Sequence, residues 1–226
     1  MRRAAAILLL AVLATGLALA LEAVPFGRAK TDVANHYIRK GVEETGATNL
    51  VTSVVVCYRG LDTLGEVTIL FIASLGVGVL LFGRPRHGGR GREEASAIVA
   101  TGARVLFPLI LLFGIYVFLH GHLTPGGGFQ GGAVLASAFL LLYLARPAQT
   151  VSRATLGAAE ALGGLVFVGV GVLGLIAAGY FLNNFLPKGQ PNLLLSAGVI
   201  PVIYVAIGVK VGSELVRIIG DLVETE

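Results

Sequence analysis

The sequence has little charge and little cysteine. Charged residues make up only 13% of its 226 residues, whereas 55% are hydrophobic, and a soluble domain carries about 25% charged residues. The composition therefore excludes an ordinary soluble protein and predicts an integral membrane protein. The one cysteine, Cys57, excludes a disulfide or a multi-cysteine cluster within these residues. The basic residues lie at the ends of apolar runs and form no single basic face, so nucleic acid is not an expected partner.

Glycine and long apolar runs are what the sequence has in excess. Its 32 glycines are about twice the average use, which is typical of closely packed membrane helices. The runs predict an all-α, polytopic membrane protein with about six transmembrane helices. A short helix over residues 48–58 is expected before the second span, with the junction at Gly60. The predicted spans are residues 4–21, 61–82, 97–119, 133–145, 159–182 and 192–219.

The expected orientation in the membrane follows from the first apolar run and from the basic residues of the loops. The first run follows Arg2 and Arg3 and ends in Ala18-Leu19-Ala20, which resembles a signal-peptidase site. A cleaved signal peptide is therefore an alternative, but the length of the run favours a retained helix. Residues 22–46 are polar and are expected to form an extramembrane loop with one short helix. The distribution of arginine predicts that both termini are cytoplasmic.

A basic, glycine-rich stretch at residues 84–95 is the predicted boundary between two membrane regions. It is expected to be a cytoplasmic linker that joins residues 1–83 to a four-helix region at residues 96–226. Its basic residues are Arg84, Arg86, Arg90 and Arg92.

The polar stretch HGHLTPGGGFQGG, residues 120–132, separates two apolar runs. Proline and consecutive glycines do not continue a helix, so a tight turn is predicted here. Residues 126–131 match the dinucleotide pattern G-x-G-x-x-G, but a membrane-span run precedes them and no acid follows at the required distance, which excludes that reading. The residues expected to shape the turn are Pro125, Gly126, Gly127, Gly128, Gly131 and Gly132.

Asp62 and Glu66 are the sharpest candidates for ion or proton translocation. They lie four residues apart and therefore share one side of a helix. Arg59 is placed to neutralise Asp62, which leaves Glu66 to titrate or to bind a cation. The hydroxyls of Thr63 and Thr68 are oxygen ligands of the kind that a hard cation prefers. The alternative is an ordinary ion pair at the start of a helix.

Four further residues carry weaker predictions for the same role. His120 and His122 are candidate proton relays, although each is as well explained by a hydrogen bond to a loop carbonyl. Glu160 is expected near the positive end of a helix dipole. Lys210, Glu214 and Arg217 share a helical face near the cytoplasmic end of the last span, where snorkelling and pairing at a spacing of four residues are the ordinary interpretation. That interpretation is preferred for Glu214 and Arg217, whereas Lys210 lies deeper and stays a candidate for functional contact.

Residues 120–132 resemble the hallmark of the B-subunit family, MnhB or MrpB, of Mrp-type multisubunit Na⁺/H⁺ antiporters. The resemblance covers residues 94–219. Residues 49–66 are similar to the C-terminal region of the MrpA protein, which also occurs as a separate small subunit in membrane-bound hydrogenases. These two resemblances imply that residues 84–94 join a part similar to the C-terminal region of MrpA to a part similar to MrpB.

The resemblance implies a non-catalytic membrane subunit of an Mrp-type antiporter in a prokaryotic plasma membrane. Na⁺ and H⁺ are the implied transported ions, Glu66 and Asp62 belong to the motif that lines the route, and no cofactor is expected in the chain. The implied partners are other membrane subunits and the lipid bilayer. The alternatives are a subunit of a ferredoxin-linked hydrogenase or oxidoreductase, a structural scaffold, and a self-sufficient transporter.

Overall fold

The computed structural model describes residues 2–23, 31–83, 95–146, 149 and 151–225. The predicted linker at 84–95 lies outside the described residues except for Ala95. The chain divides into two units, Met1–His36 and Tyr37–Glu226. The second unit contains helices from both predicted membrane regions and holds every candidate residue of the sequence analysis.

The described segments are helices joined by turns. The expected short helix before the second span is a single α-helical turn that continues as a π-helix, Ser53–Tyr58. The break then falls at Arg59 and Gly60, as predicted. In chain order the helices are α1 Arg2–Ala23, α2 Thr31–Thr45, α3 Leu50–Thr52, α4 Gly60–Leu80, α5 Ala97–Leu119, α6 Gly128–Ala145, α7 Arg153–Ala178 and α8 Ile200–Thr225.

Five of the described helices, α1 and α4 to α7, have the length and composition of membrane spans, with mean hydropathy between 1.6 and 2.6. The remaining long helix, α8, has 26 residues and carries Lys210, Glu214 and Arg217. It packs against α4, α5, α6 and α7, so it is the central helix of the second unit. Charges within α8 can therefore be satisfied by neighbouring helices rather than by lipid. The predicted all-α, multi-pass membrane fold is confirmed.

Three helix boundaries differ from the hydropathy pattern. Helix α6 begins at Gly128, so the last glycines of the turn already belong to it. Helix α7 begins at Arg153 rather than near 159, because the side chain of Ser152 accepts a hydrogen bond from the Thr155 amide and caps the helix.

Helix α8 begins only at Ile200, since positive φ angles at Asn192 (70°) and Ala197 (64°) keep the preceding residues in turns.

Small residues let the helices of the second unit approach closely. A Cβ atom added at Gly131 would lie 2.7 Å from the carbonyl oxygen of Gly114 on α5. One added at Gly132 would lie 2.9 Å from the amide nitrogen of Gly212 on α8. The glycines of α6 thus allow this helix to pack closely against both α5 and α8, as expected for helices in a bilayer.

Candidate functional site

The predicted turn between α5 and α6 requires glycine at two positions. A Cβ at Gly126 would lie 2.5 Å from the carbonyl oxygen of Val117, and Gly127 has a φ of 148° that side-chain-bearing residues rarely adopt. The chain can therefore fold back onto the end of α5 only where side chains are absent.

Polar side chains from two other elements hold this turn in place. The amide of Asn49, which caps α3, donates hydrogen bonds to the carbonyls of Gly121 (2.8 Å) and Thr124 (3.0 Å). The hydroxyl of Thr52 donates to the Gly121 carbonyl at 2.6 Å and accepts a bond from the Tyr204 hydroxyl at 2.7 Å. The turn, the short helix before α4 and the central helix α8 are thereby linked by one chain of hydrogen bonds.

A cavity of about 250 Å³, here called the glycine-turn cavity, is lined by the turn and by residues of α4 and α8. It brings Glu66 and Thr63 of α4 to the turn, two features that the sequence analysis treated separately. The Thr63 hydroxyl donates to the Val55 carbonyl at 2.6 Å, which leaves its oxygen free to accept or to bind a cation. The lining residues are Val51, Val55, Thr63, Glu66, Gly126, Gly127, Gly128, Phe129, Gln130, Tyr204 and Ile207.

Asp62 lies on the same helix as Glu66 but in different surroundings. Its carboxylate accepts a hydrogen bond of 2.6 Å from Arg59, and both side chains are more than half exposed. The pair borders a separate open cleft of about 780 Å³. Glu66 forms no ion pair with any described residue and lines the glycine-turn cavity instead. Of the two acids, Glu66 is therefore the one without an ion-pair partner among the described residues.

The two histidines of the turn have different environments. His120 stacks on Tyr116, with ring centroids 4.2 Å apart. His122 is fully buried, and neither ring nitrogen has a hydrogen-bond partner among the described residues. Burial lowers the pKa of His122 from its ordinary value of 6.5, because an apolar environment disfavours the charged imidazolium. No group of three potential metal-ligating side chains occurs in the described ranges.

A second set of polar residues lies between α7 and α8. The ammonium of Lys210 is 2.5 Å from the carboxylate of Glu214, and their side chains are 10% and 0% exposed. On the same side of α8, Arg217 donates a hydrogen bond of 3.2 Å to Glu160 of α7. Farther along, Arg153 pairs with Asp221 and, at 2.9 Å, with Glu224. Charges of alternating sign thus follow α8 toward its carboxyl end.

Two interpretations from the sequence are corrected by this arrangement. Glu160 does not lie at a helix start, because the Ser152 cap begins α7 two turns earlier; it is buried and paired with Arg217. Glu214 does not lie at the surface, because α8 is central and the other helices cover it. The predicted pairing of Lys210 with Glu214 at a spacing of four is observed, but in the interior. Charged residues at spacings of three and four along a mostly apolar 26-residue helix are the signal that could have indicated burial.

Lys210 and Glu160 also border a second cavity, of about 500 Å³, here called the α4–α7 cavity. The Lys210 ammonium lies 5.1 Å from the ring centre of Phe71, which also lines this cavity. Thr68, proposed above to act with Glu66, lies here instead, with its hydroxyl donating to the Leu64 carbonyl at 2.7 Å. The cavity is lined by Leu64, Val67, Thr68, Phe71, Glu160, Ala161, Gly164, Leu165, Phe167, Val168 and Lys210.

Comparison with known families accounts for both halves of the chain. The model of a domain related to the MnhB subunit of Na⁺/H⁺ antiporters matches residues 98–217, more than half of the chain. The chain belongs to this family. The MbhE family, named for a component of MBH, matches residues 1–91. The resemblance expected from the turn and from residues 49–66 is confirmed.

Curated relatives include archaeal and bacterial proteins. The uncharacterized protein MJ1307 of Methanocaldococcus jannaschii is 32% identical over 228 residues, covering 86% of this chain and 87% of the relative. A probable K⁺/H⁺ antiporter A/B subunit of Rhizobium meliloti is 32% identical over 50% of this chain, which corresponds to 14% of the relative. These family members agree with a multi-pass protein of a prokaryotic plasma membrane.

Two solved structures have the same fold. A chain of the membrane-bound sulfane sulfur reductase, an archaeal respiratory membrane complex, is 48% identical with a TM-score of 0.79, covering 100% of this chain and 99% of that one. A chain of the Mrp complex from Dietzia sp. DQ12-45-1b is 29% identical with a TM-score of 0.73, covering 97% of this chain but 25% of that one. Both neighbours are chains of multisubunit membrane complexes.

Proposed function

We propose that this chain is a non-catalytic membrane subunit of an Mrp-type ion-translocating module within a redox-driven complex. The observation that carries the proposal is the extent of similarity. The chain corresponds end to end, at 48% identity, to a subunit of an archaeal respiratory complex. It corresponds to only a quarter of the matching chain of the Mrp complex. The similarity to the respiratory assembly thus extends over nearly the whole of the matching subunit.

Glu66 is the residue that exchanges Na⁺ or H⁺ in this function. Glu66, Thr63, Gln130 and Tyr204, which all carry side-chain oxygens, line the glycine-turn cavity, and hard cations prefer oxygen ligands. Asp62 is neutralised by Arg59 at 2.6 Å and adjusts the local charge rather than carrying the ion. Electron transfer is assigned to other subunits, and the chain itself contributes no cofactor.

Gentle purification of the native assembly through a tag on this chain tests the proposal. The expected result is a set of large antiporter-like membrane subunits together with iron–sulfur proteins, identified by mass spectrometry and an iron assay. An untagged strain taken through the same procedure is the control. Recovery of this chain alone, active in ion transport in liposomes, would contradict the proposal.

Membership of a stand-alone Mrp-type antiporter is the second candidate. The structural similarity to the Mrp complex over 97% of the chain favours it. It predicts the same large membrane subunits without iron, so the same purification distinguishes the two.

A further inference from the structure

The Lys210–Glu214 pair has a feature that ion pairing alone does not explain. One carboxylate oxygen of Glu214, Oε1, is 2.5 Å from the Lys210 ammonium. The other, Oε2, is buried and has no hydrogen-bond partner in the described part of the chain. Leaving a buried acceptor unsatisfied is costly, and a charged one more so. A proton on the carboxylate would remove the charge that this arrangement leaves only partly satisfied.

Lys210 connects this buried pair to the α4–α7 cavity. Its ammonium faces both Glu214 and the Phe71 ring, which lines the cavity. The glycine surface of α7 makes room for its stem, since a Cβ at Gly164 would lie 3.8 Å from Lys210 Cδ and one at Gly163 only 2.9 Å from Lys210 Cβ. A lysine on a flexible four-carbon stem can therefore reach toward the cavity without leaving the helix.

The charged side chains at this site include equal numbers of cations and anions. One added proton therefore changes the net charge of the group by one unit. Lys210 pairs with Glu214, and Arg217 on the same helix pairs with Glu160 of α7. The other elements packed at this level contribute uncharged contacts to α8: Phe71 of α4, Phe118 of α5 against Gly208, and Gly132 of α6 against Val211. The charged side chains around Glu214 in the described structure thus come from α7 and α8.

We propose that Lys210 and Glu214 form a proton-transfer site, loaded and emptied through the α4–α7 cavity. The Lys210 ammonium gives a proton to the Glu214 carboxylate, and the resulting amine takes a proton from hydronium in the cavity. One N–H bond breaks and re-forms, one O–H bond forms on Glu214, and hydronium becomes water. The reverse sequence releases the proton. Within the ion-translocating function proposed above, on which this inference rests, the site is separate from Glu66.

An infrared pH titration of the purified native complex tests the protonation directly. The wild type is expected to gain a protonated-carboxyl band on acidification that is missing when Glu214→Gln is introduced. Glu43→Gln, in which the substituted residue is exposed and paired with Lys40, is the matched control and should keep the band. If the Glu214→Gln and wild-type difference spectra are the same, the proposal is wrong. This measurement is valid whichever partner subunits co-purify, so it is independent of the proposed function.

Proton movement in liposomes containing the complex provides the second test. The double variant Lys210→Met/Glu214→Gln removes both charges together, which avoids an unpaired buried charge and favours assembly. We expect proton movement to fall about 100-fold, the scale of a lost proton-transfer group, while the set of co-purifying subunits stays that of the wild type. An assembled double variant with wild-type proton movement would overturn the proposal.

Discussion

Helix α4 carries two carboxylates and α8 carries three, but the two helices differ in their surroundings. On α4, Asp62 is 55% exposed and paired with Arg59, and Glu66 lines a cavity without an ion-pair partner among the described residues. On α8, Glu214 and Asp221 are buried and paired with Lys210 and Arg153.

The difference follows from the position of each helix. Helix α4 packs mainly on α8, whereas α8 is enclosed by four helices. A carboxylate on the outer helix remains available to an ion or to a neighbouring protein. A carboxylate on the central helix must be paired within the chain. The same residue type therefore serves as a candidate ligand in one region and as part of a charge network in the other.

The largest expected effect is loss of one partner from the central pair. Lys210→Ala leaves the Glu214 carboxylate buried and unpaired, which should lower the free energy of unfolding by about 3–5 kcal/mol. Arg59→Ala breaks an exposed pair and should cost less than about 1 kcal/mol. Denaturant unfolding of the two purified variant complexes measures both values. Equal losses would show that the two helices do not differ as described.

Glu66→Gln is expected to have the next largest effect, on transport rather than stability. Loss of the exchangeable carboxylate should reduce Na⁺ or H⁺ movement in liposomes about 100-fold, with an unchanged unfolding midpoint. Asp62→Asn should cause a smaller loss because Arg59 already neutralises Asp62. Glu43→Gln serves as the matched exposed control. Full transport by an assembled Glu66→Gln complex would support the structural-scaffold alternative instead.

Glycine substitutions compare the packing of the two regions. A Cβ at Gly163 of α7 would lie 2.6 Å from the Ala206 carbonyl oxygen, so Gly163→Ala should destabilise the protein by about 1–3 kcal/mol. No atom of the described structure lies within 4 Å of a Cβ at Gly65 of α4. Gly65→Ala should therefore be neutral or stabilising by up to about 1 kcal/mol. Thermal unfolding of both variants checks the contrast, and a destabilised Gly65→Ala complex would indicate that a neighbouring protein packs on this part of α4.

The smallest expected effect is a pH dependence from the buried histidine of the turn. Burial lowers the pKa of His122 below its ordinary 6.5, so the unfolded chain binds a proton that the folded chain does not. Stability is then fully present above pH 6.5 and falls as the pH drops below it. His122→Gln should flatten this dependence in thermal unfolding. An unchanged profile in His122→Gln would exclude His122 as its source.

Local features of the chain were predictable because they depend on neighbours in sequence. The break at Gly60, the turn at Pro125 and the spans of α4 and α5 follow from apolar run length and from proline and glycine chemistry. The start of α7 at Arg153 was missed, although Ser152 is a good cap, because the hydropathy pattern alone was used to place it. Pairing of Arg59 with Asp62 was also predictable, since the residues lie one helical turn apart.

Composition, apolar run lengths and the glycine turn are enough to indicate an all-helical membrane protein that resembles the MnhB-related family, with Glu66 as a candidate for ion exchange. The packing of the helices places Glu66 beside the glycine turn and Thr63 and Thr68 in two different cavities, which no local pattern indicated. It also buried Glu214 and joined Glu160 to Arg217, 57 positions away. The physical reason is that an apolar helix face toward lipid and one toward protein have the same composition. The packing of the helices around α8 decides which helix face lies against an oppositely charged side chain of a neighbouring helix.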